Sequence, residues 1–196
     1  MTIERTPDHP IEPLFIRRWS PRAYQPAAMP FSDLFSMLEA ARWAPSAYNI
    51  QPWRFLYSLR DDTHWQTYLS VLDAGNANWA SNASALVVVL SDTEMPSRQD
   101  RPPTQSRYHS FDAGASWALL ALQATALGYQ AHAMAGVDVD QARKKLAIPA
   151  TFSIEVVITI GKLAAPSTLP PALQAREKPS QRRPLSDTAF AGIFPT

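Results

Sequence analysis

Cysteine is absent from all 196 residues. Its absence excludes disulfides, thiolate nucleophiles and Cys-ligated metals, and it fits a reducing compartment. Glycine is scarce, six residues against 18 prolines. A glycine-rich phosphate loop is therefore not expected, and neither GxGxxG nor GxxxxGK[ST] occurs. Net charge is almost nil, since 18 Lys and Arg offset 17 Asp and Glu to leave +1. Such a balance argues against nucleic acid or a membrane surface as a partner. There is no long hydrophobic run either. The longest apolar stretch, Ala113 to Gly128, is broken by Ser116, Gln123 and Thr125 and is too short and polar to span a bilayer. Asp8, His9 and Glu12 stand where a signal peptide would need an apolar core, so a cytoplasmic location is expected.

Reactive side chains are thinly spread as well. His9, His64, His109 and His132 show no metal-ligand spacing, so no metal is expected. Ser20 and Ser46 lack His and Asp partners at hydrolase spacing, and no carboxylate pair stands out. If this chain is an enzyme, a cofactor must carry the chemistry.

What is present centres on Ala40 to Phe55. An amphipathic helix is expected over Ser32–Trp43, with Leu34, Met37, Leu38 and Ala41 on one stripe and Ser32 as N-cap. Pro45 stops it, and Trp53, Phe55, Tyr57 and Leu59 alternate as a strand should. The intervening loop holds Ser46, Tyr48, Asn49 and Gln51 between two prolines that fix the backbone, which suits recognition of a planar polar edge. The competing reading is a plain helix–strand connector.

Further along, Thr63–Leu72 reads as a helix and Ala74–Trp79 as a polar turn. Leu86–Leu90 reads as a strand buried on both faces. Thr93–Arg107, with three prolines, reads as a loop able to cover a site. Asp112–Leu127 is apolar around most of its circumference, so it must be buried internally or at a subunit interface; Asp112 is placed to cap it and Gly128 to end it. Gln130–Ala135 and Ile154–Ile160 read as strands, and Asp138 or Asp140 caps a brief helix through Leu146. Residues 1–15 and 164–196 read as extended arms of one domain spanning 1–196. Two basic clusters stand out, Arg17 to Arg22 with Ser20, and Arg176 to Arg183. Arginine forks beside a serine hydroxyl suit phosphate, although short basic turns are commonly just solvated.

The order Arg18-Trp19-Ser20-Pro21-Arg22, Pro45-Ser46-Ala47-Tyr48-Asn49-Ile50-Gln51-Pro52-Trp53, Asn76, Asp112 to Gly136, and Arg182-Arg183-Pro184-Leu185 resembles the FMN-dependent nitroreductase family over Ile16 to Leu185. The resemblance implies an α+β fold, an α/β/α sandwich with a mostly antiparallel central sheet, in an intertwined homodimer with FMN at its interface. It implies that Arg18 and Ser20, with Trp19 between them, contact phosphate or ribityl, and that Arg22 is a cation near the flavin pyrimidine. Pro45, Ser46 and Asn49 would pass the isoalloxazine, with Gln51 behind. Asn76 would bond the pyrimidine or ribityl chain. Ala133, Met134, Ala135 and Gly136 would present backbone N–H groups to N5 and O4, and Arg182 with Arg183 would clamp the phosphate. No side chain is assigned as catalytic.

The activity implied is ping-pong hydride transfer from NADH or NADPH through FMN to small-molecule electron acceptors such as nitroaromatics, quinones or activated alkenes. A non-catalytic flavin-binding protein, a quinone reductase and a dehalogenase are the alternatives. Trp79 departs from relatives that have a lysine there, and Ala135 from relatives with an acid.

Overall fold

The computed structural model describes residues 5–95 and 102–195. Its centre is a four-stranded sheet built from β1 (Trp53–Leu59), β2 (Ala85–Asp92), β5 (Gln130–Met134) and β6 (Phe152–Gly161), ordered β1-β2-β6-β5 with every neighbour antiparallel. The period-two alternation of β2 divides the core. Ala85, Val87 and Val89 face one layer, which contains Leu34, Met37 and Ala41 of helix α2 (Phe31–Arg42) and Ala113, Leu120 and Ala124 of α5 (His109–Ala126). Leu86, Val88 and Leu90 face the other, with Trp65 and Tyr68 of α3 (Trp65–Leu69) and Trp79 and Ala80 of α4 (Ala74–Ala80). Helices thus cover both faces of an antiparallel sheet, the α+β arrangement expected.

Several local expectations change. The helix before the loop starts at Phe31 after Pro30, so Ser32 lies inside its first turn and makes no side-chain cap. The polar turn at 74–79 is instead α4. The Asp73 carboxylate accepts from Asn76 N at 2.7 Å, and burial of Trp79 outweighs the poor helix propensity of Gly75, Asn76 and Asn78. Asp112 does not cap α5, which begins three residues earlier. α3 is shorter than the Thr63–Leu72 expected. The N-terminal arm contains a short helix, α1 (Pro13–Arg17), and the C-terminal arm a turn of helix, α7 (Pro171–Gln174). The expected loop at 93–107 carries a small ribbon, β3 (Glu94–Met95) paired with β4 (Thr104–Gln105); its middle lies outside the described residues. Helix α6 (Val139–Lys145) is capped by Asp138 as expected. No helix among the described residues is long and apolar enough to cross a membrane.

Candidate functional site

The stiff loop is more strained than its sequence shows. Tyr48, Asn49 and Gln51 have φ of 53°, 57° and 55°. Left-handed backbone costs a non-glycine residue about 1–2 kcal/mol, so three in four positions are held there by their surroundings. Ser46 Oγ accepts from Gln51 N at 3.0 Å and closes the turn. Asp112, only 4 % exposed, reaches from α5 to accept from Ala47 N at 3.0 Å. α5 is fixed in turn by a β-bulge. Val89 pairs with Val156 and Leu90 with Ile154, so Glu155 is left over and turns toward α5, where it accepts from Ser110 Oγ at 2.8 Å and from Ser91 Oγ.

A second group of residues assembles at the far edge of the sheet, on β5. Gln130 Oε1 accepts from Trp19 N at 3.2 Å and fixes the segment carrying Arg18 and Ser20. Glu177 Oε1 accepts from Arg22 N at 2.7 Å and Ala23 N at 2.8 Å, which docks the C-terminal arm onto the same segment. His132 Nδ1 lies 2.8 Å from Pro21 O; only a protonated Nδ1 can donate there, so Nε2 carries the lone pair of the neutral ring. Burial, above all, holds His132 below the ordinary histidine range, and Arg22 and Arg18 push the same way against Pro21 O and Glu177. The His132 ring packs on Trp79 at 5.0 Å, tilted by 33°, and the Arg22 guanidinium lies over Trp79 at 6.0 Å. Trp79, the position of the missing lysine, is 3 % exposed and belongs to the core.

One end of this strip is Asn76 and Gly136. A Cβ at Gly136 would stand 1.9 Å from Asp73 Oδ2 and 2.6 Å from Asn76 Nδ2, so a larger residue would have to displace the Asp73 and Asn76 side chains. Gly136 O accepts from Asp73 N, while the N–H groups of Ala135 and Gly136 have no hydrogen-bond acceptor among the described residues. The Met134 side chain is core, which leaves only its backbone for a site. The other end is basic. A cavity of about 480 Å3 is lined by Arg18, Ser20, His132, Ala133, Trp117 and Ala118, among others. Burial depresses the Arg18 guanidinium, and repulsion from Arg182 adds to it. Arg5 donates both to Arg18 O and to Ser180 O, which brings the stretches that carry Arg18 and Arg182 together within one chain. Arg5, outside both basic clusters, is held below the ordinary arginine range by burial first and then by Arg182 and Arg18. Neither ion pair among the described residues, Arg42–Glu39 or His109–Glu155, neutralises any of the three.

The structure thus gathers Arg18, Trp19, Ser20, Arg22, Asn76, Ala135 and Gly136 into one strip, with Arg182 on the wall of the adjoining groove. Arg183 lines the same groove. Pro45, Ser46, Asn49 and Gln51 stand apart. No described hydrogen bond joins Ser46, Asn49 or Gln51 to the strip, and neither cavity beside Arg18 or Arg182 includes them.

A family model described as the nitroreductase family matches residues 16–162, which include the strained loop and the strip from Arg18 to Gly136 but not Arg5, Glu177 or Arg182. The chain belongs to the nitroreductase family. Among solved structures, it is similar to an oxidoreductase containing FMN at 46 % identity, with a TM-score of 0.95 over the whole of this chain and 99 % of that one. A Desulfovibrio desulfuricans structure solved in complex with FMN is 27 % identical, with a TM-score of 0.70 over 93 % of this nitroreductase-family chain and 96 % of that chain. A Streptomyces coelicolor protein named for NADH dehydrogenase or NAD(P)H nitroreductase activity is 30 % identical over 161 residues, covering 74 % of this chain and 79 % of that protein.

Proposed function

We propose that this nitroreductase-family chain is an NAD(P)H-dependent FMN oxidoreductase that acts as a homodimer. The observation that carries the reading is a basic cluster with no ion pair among the described residues, at one end of a strip whose other end offers an amide and two N–H groups with no acceptor among those residues. A flavin mononucleotide has matching ends, a dianionic phosphate and a ring edge of acceptors. Residues and group fit. Arg18, Ser20 and Arg182 would hold the phosphate, Asn76 and the Ala135 and Gly136 N–H groups the ring edge, and Arg22 would stand as the cation near the pyrimidine. When bound, FMN supplies hydride transfer, in ping-pong order, from NADH or NADPH to a nitroaromatic, quinone or activated alkene.

The chain's own contribution is positioning and electrostatic tuning. Ser46, Asn49 and their strained backbone form a rigid wall that stands away from the strip of its own chain. In the proposed homodimer a second copy related by two-fold symmetry would set that wall against the ring. The test is anaerobic. Purified protein should be yellow, bleach on adding NADH or NADPH, and regain colour with a nitroaromatic or quinone. Yellow protein that neither nucleotide bleaches would make this a flavin-binding protein without the activity. Arg182→Ala should weaken FMN by about 2 kcal/mol, roughly thirtyfold, read by fluorescence titration.

A further inference from the structure

We propose that Arg5 is a third member of the phosphate clamp and that the N-terminal arm closes over the anion it holds. This rests on the reading of the strip as an FMN site, and it adds a residue that lies outside the matched segment 16–162. Arg5 Nε donates to Ser180 O at 2.9 Å, on the C-terminal arm. Arg5 Nη1 donates to Ile16 O at 2.7 Å and Arg18 O at 2.8 Å, on the segment that carries the other clamp arginine. One guanidinium therefore ties together the two stretches of chain that hold Arg18 and Arg182. A second tether lies three residues on, where the Asp8 carboxylate accepts from Leu185 N at 2.6 Å. Arg182 sits between these tethers, at positions 180 and 185, and its Nη1 donates to Ser180 Oγ at 3.0 Å.

The groove between the arms has a volume of about 720 Å3, and Arg5, Arg182 and Arg183 are in its wall. Among the described residues of its wall Asp8 is the one carboxylate, and that carboxylate is engaged by the Leu185 N–H. Three guanidiniums brought together in a partly desolvated place repel one another unless an anion joins them. Nη2 of Arg5 makes no hydrogen bond among the described residues, so its donors are available to a phosphate oxygen while the rest of the fork stays on the backbone. The consequence is directional. Phosphate should order the N-terminal arm, and the ordered arm should slow loss of the phosphate.

The test compares FMN with riboflavin, which has the ring and ribityl but no phosphate. Arg5→Gln should weaken FMN by at least about tenfold, the loss of one charge-assisted contact, and leave riboflavin affinity unchanged. Arg5→Lys keeps the charge but not the fork and should fall between. Equal FMN affinity in wild type and Arg5→Gln overturns the proposal, and so does an equal loss of riboflavin, which would make Arg5 a purely structural tie. Wild-type protein that takes up no FMN at all sinks the proposed function and the clamp together. A second measurement needs no variant. Trypsin should cut the Arg5–Thr6 bond of the flavin-free wild-type protein more slowly in inorganic phosphate than in chloride of equal ionic strength; an unchanged rate overturns the proposal.

Discussion

Tyr48 shows what a single residue contributes to the site. It is 70 % exposed, so its side chain is not what buries the loop, yet its φ is 53°. Tyr48→Val should cost about 1 kcal/mol more stability than Tyr48→Gly, because a β-branched residue resists positive φ and glycine does not. Urea melts of the two variants check this, and equal midpoints would mean the loop relaxes. Nothing in the sequence signals this strain. The usual marker is glycine or a turn asparagine, and here tyrosine and glutamine occupy the left-handed positions beside Asn49. His132 is the other residue that escaped notice, as one of four scattered histidines; its role depends on Pro21 O and Trp79, which are remote in sequence. Its folded pKa is lowered, mainly by burial, so the unfolded chain binds the extra proton. Stability should therefore fall as pH drops below about 6.5, by at most about 1.4 kcal/mol per unit, and level off below the folded pKa. His132→Gln should flatten the profile between about pH 5 and 6.5, ahead of carboxylate titration. A variant whose Tm keeps the wild-type slope there would show that other groups carry it.

At the scale of elements, the C-terminal arm is held less by its own packing than by one carboxylate. Glu177 is 7 % exposed and its Oε1 takes two backbone N–H groups, while no hydrogen-bond partner for the buried Oε2 occurs among the described residues. Glu177→Ala would strand the N–H of buried Ala23 and that of Arg22, at about 3 kcal/mol. Because Arg182 follows five residues later, FMN affinity should fall with it. A thermal melt and a flavin titration read both, and a variant with lowered Tm but wild-type FMN affinity would detach the arm's anchor from the clamp. The strands were legible because their patterns are local: β1 has the bounds that alternation predicts, and β2 and β6 follow their β-branched runs with one or two residues added at each end. Helix α4 was not, because its stability comes from an Asp73 cap and from burying Trp79, a tertiary effect that overrides propensity. The basic clusters could be read as anion-binding, but their convergence, and the inclusion of Arg5, requires Glu177 and Ser180 to dock on the N-terminal segment. The bulge that turns Glu155 toward α5 has no sequence signature at all.

For the whole molecule, the outer face of α5 is the feature that one chain leaves unexplained. The helix buries Ala113, Ser116, Leu120, Ala121 and Ala124 against its own sheet, yet Phe111 is 80 % exposed and Gly114 and Ala118 are exposed beside it. The sequence demanded burial nearly all round, and a single copy supplies only half of it. Small residues next to an exposed aromatic let another helix approach closely. The same helix fixes the strained loop at its start and lines the Arg18 cavity along its middle, through Trp117 and Ala118. A partner seated on α5 would therefore cover the cavity and deliver its own loop in one event, so that flavin binding and dimerisation become a single equilibrium. Phe111→Glu tests the coupling. A carboxylate forced into that interface should cost at least about 2 kcal/mol of dimer stability. Sedimentation velocity should show the variant dissociating at concentrations where wild type stays paired. FMN should be lost over the same concentration range, although Arg5, Arg18 and Arg182 are untouched. A monomeric Phe111→Glu protein that binds FMN as tightly as wild type would mean that one chain holds a complete site and that the loop at Asn49 serves something else.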